Sequence, residues 1–107
     1  MISVKVLKYN ELDSSPVQKQ YERVVEALER GDFRSADVKK LTPTSFYRAK
    51  LNDRDRLLFQ LAEHKGARYI LLLEIILNHD YDKSRFLNGA KIDETKLEPL
   101  DLSLIHI

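Results

Sequence analysis

The chain of 107 residues contains no cysteine and no tryptophan, and it has only three glycines. Without cysteine it forms neither disulfides nor thiolate zinc sites, which fits a cytoplasmic protein. Its glycines, Gly31, Gly66 and Gly89, stand far apart, so no glycine-rich phosphate loop is present. The longest apolar run, 69–77, is interrupted by Glu74 and is far shorter than the roughly 20 residues of a membrane-spanning helix. We therefore predict a cytoplasmic protein with no membrane partner.

The chain also lacks an excess of positive or of negative charge. Eighteen Lys and Arg residues against seventeen Asp and Glu residues give a formal net charge of +1 at pH 7. No global field therefore attracts the chain to nucleic acid, and binding to RNA or DNA needs a local basic face. With 43% hydrophobic and 33% charged residues, the composition indicates a single folded domain rather than a disordered chain.

The first half of the chain predicts a strand followed by a helix. Apolar and polar residues alternate from Ile2 to Val6, which is typical of a strand with one buried face. Ser15 is expected to cap a helix that ends near Gly31. The connector Asp32–Thr44 is expected to hold a short helical turn around Ala36–Leu41. One apolar stripe of the helix is expected to cover a sheet: Val17, Tyr21, Val24, Val25 and Leu28.

The second half predicts a meander of strands. Ser45–Leu51 and Arg54–Glu63 are strand-like, and the turn-prone pair Asn52-Asp53 between them suits a tight hairpin. Arg68–Leu77 is almost continuously apolar, which favours a central strand covered on both faces. A buried helix has the same pattern, although the isoleucines in this segment favour the strand.

The end of the chain is predicted to form one last folded segment and then a linker outside the domain. The segment 81–87, YDKSRFL, indicates a short final helix or turn, and the charged segment Lys91–Pro99 indicates a linker. The last six residues, LSLIHI (102–107), resemble a translated sequencing-adapter read-through, and a genuine edge strand is the alternative. We therefore predict a domain over 1–90 and a linker or tail over 91–107, truncated or non-native at 102–107.

Two short motifs lie in the segment Val38–Phe59, VKKLTPTSFYRAKLNDRDRLLF. Lys40-Leu41 precedes a strand that contains Tyr-Arg-Ala-Lys (47–50), and the next strand begins with Asp55-Arg56 and continues with apolar residues. In these motifs the chain resembles the RelE/ParE toxin superfamily over roughly Ile2–Leu87. The resemblance implies an α+β fold of the order β-α-(α)-β-β-β. Its antiparallel sheet is packed by an N-terminal helix and a short C-terminal helix.

The resemblance also implies a chemistry. RelE-type toxins cleave messenger RNA without a metal or cofactor: the 2′-hydroxyl attacks the adjacent phosphate, and cationic side chains neutralise the developing charge and move protons. By this resemblance the candidate catalytic residues are Lys50, Arg56 and His79. The candidate contacts to RNA or DNA are Arg48, Lys50, Arg54, Arg56, Lys83 and Arg85.

The last strand departs from the catalytic pattern. Active RelE relatives follow the histidine with arginine, whereas here His79 is followed by Asp80, which repels a phosphate. The segment LNHDYDKSRFL, with His79 and Arg85-Phe86, is similar to the RelE-like N-terminal domain of large UvrD-like helicases. We therefore predict a non-catalytic module that binds nucleic acid or a partner and precedes an NTPase domain. The alternative is a free-standing toxin, ribonuclease or gyrase-directed, neutralised by an antitoxin.

Each candidate also has a purely structural interpretation. Arg48, Lys50 and Arg56 share one face if the two strands pair, and this face is either a nucleic-acid contact or a solvated surface with Asp53 and Asp55 as counter-charges. Other candidates have paired interpretations as well. Glu74 is either a partner of one of these cations or a general base. His79 is either a general base that Asp80 orients, or it caps the strand end or bonds the closing turn. Tyr81 and Phe86 either pack in the core or stack on a base.

Overall fold

The structure, a computed structural model, describes residues 4–99. It is an α+β fold in which one α-helix covers a six-stranded mixed sheet. The strands and the helix are β1 (Val4–Tyr9), α1 (Gln18–Glu29), β2 (Lys39–Lys40), β3 (Phe46–Lys50), β4 (Arg56–His64), β5 (Ala67–Ile76) and β6 (Leu97–Pro99). None of the helices within residues 4–99 is long and apolar enough to cross a membrane.

The sheet has the strand order β2-β3-β4-β5-β1-β6. The predicted meander is confirmed, because β3, β4 and β5 are antiparallel neighbours. The predicted wholly antiparallel sheet is wrong at one place, since β1 lies parallel to β5. The long connection through α1 and the meander lets the chain return beside β1 in the same direction.

β5 is a central strand buried on both faces, so the strand interpretation of this apolar run is confirmed and the helix interpretation is wrong. Its alternate residues Ile70 and Leu72 face α1, where they pack with the predicted helix stripe and with Leu57 and Phe59. Leu71 and Leu73 face the opposite side and belong to a second cluster. This two-sided burial explains the absence of a clear alternation in the sequence.

The ends of α1 differ in how well they were predicted. Ser15 does not cap the helix, because its backbone N–H and its hydroxyl donate to Asp13 Oδ1 at 3.0 and 2.7 Å. A turn of 3-10 helix, Ser15–Val17, precedes α1 instead. The predicted end is confirmed: Gly31 has φ +77°, a left-handed conformation that stops a helix.

Two other predicted helical segments differ from the structure. Within the predicted turn at Ala36–Leu41, Lys39–Lys40 instead forms β2, paired with β3. At 81–87, where a short final helix or turn was predicted, the turn is confirmed: the chain makes a single 3-10 turn at Tyr81–Lys83, after another at Leu77–His79, and not a C-terminal helix. Isolated short helices are unstable, so the conformation of a short polar segment is decided by the hydrogen bonds that it forms with neighbouring parts of the fold.

The segment 91–99 is folded onto the sheet, so the prediction of a linker is wrong there. β6 pairs with β1, and the Asn10 N–H donates to Lys96 O at 2.8 Å. Ile92 and Leu97 pack against the second cluster. Glu11 binds Arg85 and Lys96 at 2.8 and 2.7 Å, which ties this segment to the end of β1. The tail predicted to be truncated or non-native, 102–107, lies outside the described residues.

Candidate nucleic-acid interface

The candidate cations lie around the loop between β3 and β4. This loop has five residues, Leu51–Asp55, so the predicted two-residue turn at Asn52-Asp53 is wrong. The Asn52 side-chain oxygen accepts from the backbone N–H groups of Arg54 and Asp55 at 2.8 and 2.9 Å. The side chain of Asn52 thereby shapes the loop from within.

The loop length sets the register of the two strands. Lys50 pairs with Arg56, and Arg48 pairs with Leu58. Residues directly opposite each other project to the same face of a sheet, as do residues two apart along a strand. The predicted common face of Arg48, Lys50 and Arg56 is therefore confirmed, and it is the face opposite to α1.

The predicted exposure of this cationic surface is wrong for the two arginines. Arg48 is 9% exposed and Arg56 is 7% exposed. The Arg48 guanidinium donates to Asp37 O at 2.8 Å and lies 3.6 Å from the Asp37 carboxylate. The Arg56 guanidinium donates to Asn52 O at 2.6 Å and to Asp55 O at 3.0 Å. Both arginines thus bind loop carbonyls.

Three other cations remain accessible on or beside this face. The Lys50 side chain is 40% exposed, and its ammonium lies 3.5 Å from the carboxylate of Asp53, which is 98% exposed. Such a surface pair is weak and exchanges readily with another anion. Arg54 is exposed in the loop, and Lys39 is exposed on β2 opposite Arg48. We call Lys39, Lys50 and Arg54 the basic corner.

The backbone of the loop beneath the basic corner is held at every carbonyl. Arg23 of α1 donates to Leu51 O at 3.1 Å, and Arg56 binds the carbonyls of residues 52 and 55. The His79 N–H donates to Arg54 O at 2.7 Å, and its ring Nε2 lies 2.9 Å from Asp53 O. The loop therefore presents its side chains from a fixed backbone.

Asp55 joins this loop to the turn that follows β5. It is 7% exposed, and its carboxylate accepts from the Asn78 N–H at 3.0 Å and from the Asn52 amide at 2.9 Å. The hydrogen bond from Asn78 is the main reason that the pKa of Asp55 is lowered, and the Asn52 amide and neighbouring arginines act in the same direction. Asp55 is therefore a structural anion in the interior of the site.

His79 binds the β3–β4 loop rather than either of its predicted partners. Its Nε2 lies 2.9 Å from Arg56 Nη2 and 2.9 Å from Asp53 O. The Asp80 carboxylate pairs with Lys83 at 3.3 Å, so it does not orient the imidazole. Lys50, Arg56 and His79, the three predicted catalytic residues, nevertheless meet at one place in the fold.

Lys83 and Arg85 belong to a different surface. Together with Glu11 and Glu74 they line a cleft of about 410 Å³ beside the end of β1. Among the described residues no hydrogen bond or ion pair joins them to the basic corner. The structure therefore does not bring these two predicted nucleic-acid contacts together with Lys50 and Arg54.

Glu74 matches neither of its predicted roles at the cationic face. It sits opposite Leu58 at an irregularity in the pairing of β4 and β5, and it forms no ion pair with the described residues. Burial raises the pKa of its carboxyl, while Ser84 and Arg85 oppose this shift. Its Oε2 is buried without a hydrogen-bond partner.

The two aromatic candidates pack in the fold, as the structural interpretation predicted. Phe86 is 3% exposed, and its ring meets that of Tyr9 edge-on at 5.2 Å. Tyr81 packs against the second cluster, with its ring 6.4 Å from that of His79.

Lys39, Arg23 and Asp37 were missed as parts of this site. The pair of lysines at 39 and 40 could have indicated that Lys39 belongs to the basic surface. Nothing in the local sequence marks Arg23 or Asp37 as partners of the loops. Within residues 4–99 no group of three or more His, Asp or Glu residues is placed to hold a metal ion. Searches of protein-family models, curated proteins and solved structures found no match to the chain.

Proposed function

We propose that this chain is a RelE/ParE-like module of a cytoplasmic protein, and that it binds RNA through the basic corner without cleaving it. The element order supports the proposal, because one strand and one helix precede three antiparallel strands. Tyr47, Arg48 and Lys50 lie on β3 and Arg56 begins β4, which supports the resemblance. We further propose that a helicase-like NTPase domain is its partner in a longer protein.

The observation that carries RNA binding is the presence of three accessible cations on and beside a rigid loop. Lys39, Lys50 and Arg54 come from β2, β3 and the loop, respectively. Arg48 and Arg56 are buried beside them on β3 and β4, and they add two positive charges. Three carboxylates, those of Asp37, Asp53 and Asp55, lie among these five cations, so the local balance stays positive. A local positive surface on a nearly neutral chain attracts phosphates at short range.

The bonding of the predicted catalytic groups supports binding rather than cleavage. Arg56 uses its guanidinium on two loop carbonyls and on His79, and it is buried. The imidazole nitrogen of His79 that faces these groups is itself occupied. A general base needs an accessible lone pair, and a phosphorane needs free N–H donors.

Binding should be tested with charge-matched triple variants. We expect Lys39→Ala, Lys50→Ala and Arg54→Ala together to weaken binding of a labelled single-stranded RNA by about 10-fold at low salt. For the native chain, three phosphate contacts predict a slope of about −2 in log affinity against log salt, and the triple variant should flatten it. Fluorescence anisotropy measures both quantities.

The control removes three exposed cations elsewhere, by Lys19→Ala, Arg34→Ala and Lys91→Ala. It changes the net charge equally, so we expect it to alter the affinity by less than about 2-fold. Equal losses in the two triple variants would show that net charge, and not the basic corner, controls binding. Arg48 and Arg56 are left intact because their loss would also disturb the loop.

A free-standing toxin remains the second candidate function. It is favoured by one observation, namely that Lys50 and Arg56 are register partners and that Arg56 contacts His79. These are the three residues that the resemblance assigns to ribonuclease chemistry, and an antitoxin would then be the partner.

A further inference from the structure

The cleft beside the end of β1 has a lining of two kinds. Its volume of about 410 Å³ lies within the range of roughly 300–1,000 Å³ that is usual for small-molecule sites. One part of the lining is apolar: Leu12, Pro16, Leu73, Ile75 and Leu77. The other part is charged and contains both signs: Glu11, Asp13, Glu74, Lys83 and Arg85. Such a lining suits a small molecule that has an apolar part and two opposite charges.

Glu74 gives this cleft a carboxylate with an unsatisfied oxygen atom. Its Oε2 is buried and has no hydrogen-bond partner within residues 4–99, and the carboxylate forms no ion pair there. Burial raises the pKa of the carboxyl, because the charged form loses hydration. A buried carboxylate needs a donor, and an ammonium group would supply the donor and the opposite charge together.

Arg85 lies near Glu74 but is paired with a different carboxylate. Its Nη1 donates to Glu11 Oε2 at 2.8 Å. Its positive charge still acts on Glu74, where it opposes the rise in pKa that burial causes. The Arg85 side chain is 57% exposed, and a guanidinium carries five N–H donors. Arg85 can therefore bind a second carboxylate without releasing Glu11.

Two further charged groups of the cleft have partners of their own. The Asp13 carboxylate accepts from the backbone N–H and the hydroxyl of Ser15 at 3.0 and 2.7 Å. The Lys83 ammonium lies 3.3 Å from the Asp80 carboxylate. The anion that lacks a donor and the cation with unused donors are therefore Glu74 and Arg85.

We propose that this cleft binds a free α-amino acid with an aliphatic side chain. The ammonium group of the amino acid donates to Glu74, and its carboxylate accepts from Arg85. Its side chain packs on the apolar lining, where Leu77 is 43% exposed. A ligand with an ammonium alone is repelled by Arg85 and Lys83, and one with a carboxylate alone is repelled by Glu74. The inference concerns a surface apart from the basic corner and does not depend on RNA binding.

Titration of the isotope-labelled native chain with L-leucine, followed by NMR chemical shifts, tests the proposal. We expect a Kd of about 1 mM or below, with the largest shifts in 73–77 and 83–85. Isoamylamine lacks the carboxylate of leucine, and isocaproate lacks its ammonium group. Each should bind at least about 10-fold more weakly than L-leucine, because one charged contact is lost.

Two variants test the charged contacts one at a time. Glu74→Gln and Arg85→Gln should each weaken the binding of L-leucine by at least about 10-fold. Glu63→Gln and Arg68→Gln are the matched controls, because these residues are exposed register partners at the other end of β5. The controls make the same changes in charge, and each should alter the affinity by less than about 2-fold.

Three results would overturn the proposal. The first is the absence of chemical-shift changes in the native chain at about 10 mM L-leucine. The second is an unchanged affinity in Glu74→Gln, provided that the spectrum of the variant shows a folded chain. The third is binding of isoamylamine or isocaproate as tight as that of L-leucine. This last comparison uses only the native chain, so it decides the question even if a variant does not fold.

Discussion

At the scale of single residues, the arginines show how a cation can serve the fold instead of a ligand. Arg48 and Arg56 are almost fully buried, and each guanidinium donates to backbone carbonyls of a connecting segment. A buried charge needs such partners, and the planar guanidinium supplies several donors at once. These two residues therefore fix the loops that carry the accessible cations.

Tyr21 is a buried residue with an unsatisfied polar atom. Its side chain is 2% exposed, and its hydroxyl has no hydrogen-bond partner among the described residues. Burial raises the pKa of Tyr21 to about 12. Removing an unpartnered hydroxyl from the core removes its desolvation penalty while the aromatic packing remains.

We expect Tyr21→Phe to raise the free energy of unfolding by about 1 kcal/mol at neutral pH. The folded pKa lies above the ordinary value of 10.0, so the contribution of the neutral phenol is complete below pH 10 and is lost as the pH rises towards about 12. In that window the native chain should lose up to about 1.4 kcal/mol per pH unit through this residue. Urea unfolding at neutral and alkaline pH measures both effects.

Tyr69→Phe is the control, because Tyr69 is only partly buried. It should leave the alkaline loss of stability in place. A destabilised Tyr21→Phe variant would mean that the hydroxyl has a partner in the folded protein. A variant that keeps the native alkaline loss would mean that another group causes that loss.

At the scale of elements, β5 organises the molecule because it lies between β4 and β1 and separates the two apolar clusters. An irregularity in its pairing with β4, between Leu58 and Phe59, shifts the register there by one residue. Leu71 and Leu73 consequently belong to the same cluster as Ile76 farther along the strand. Such a strand tolerates little loss of volume on either face.

Leu73→Ala tests this placement. Leu73 is 1% exposed, and we expect the truncation to lower the free energy of unfolding by roughly 2–5 kcal/mol through lost burial and the cavity left behind. Leu77→Ala is the matched control, because Leu77 is 43% exposed just past the end of the strand. Its loss should stay within about 0.5 kcal/mol. Similar values for the two variants, from chemical denaturation, would contradict a central β5.

At the scale of the whole molecule, the net charge of +1 means that attraction to a polyanion depends on where the charges lie. Several cations are engaged far from the basic corner: Lys8 pairs with Glu98 at 3.7 Å, and Arg85 and Lys96 pair with Glu11. Lys39, Lys50 and Arg54 remain accessible at one end of the sheet. We therefore expect RNA contacts at that end of the sheet.

Expression in a bacterial host separates the two proposed functions. We expect no growth arrest, because the predicted catalytic groups bind one another and the loop, and Asp80 stands where the active pattern has arginine. Growth curves after induction measure this. An arrest that Lys50→Ala relieves would establish the toxin instead, whereas an arrest that persists in Lys50→Ala would point to a burden unrelated to the site.

Local patterns in the sequence were sufficient for the type of most elements. The stripe from Val17 to Leu28 specified α1, and the apolar run specified β5 as a strand. Boundaries and short polar segments were less predictable. β2 and β6 are strands because they form hydrogen bonds with an edge of the sheet. This pairing is tertiary, so no pattern within either segment predicts it.

The sequence by itself determined the helix, the central strand and the presence of cations near one hairpin. The tertiary structure alone decided which of those cations meet solvent. A two-residue turn at Asn52-Asp53 would have paired Arg56 with Ala49 and turned it towards α1, whereas the five-residue loop pairs it with Lys50. The physical reason is that a slip of one residue reverses the face of a strand, and that loop carbonyls brought close by folding bind the arginines.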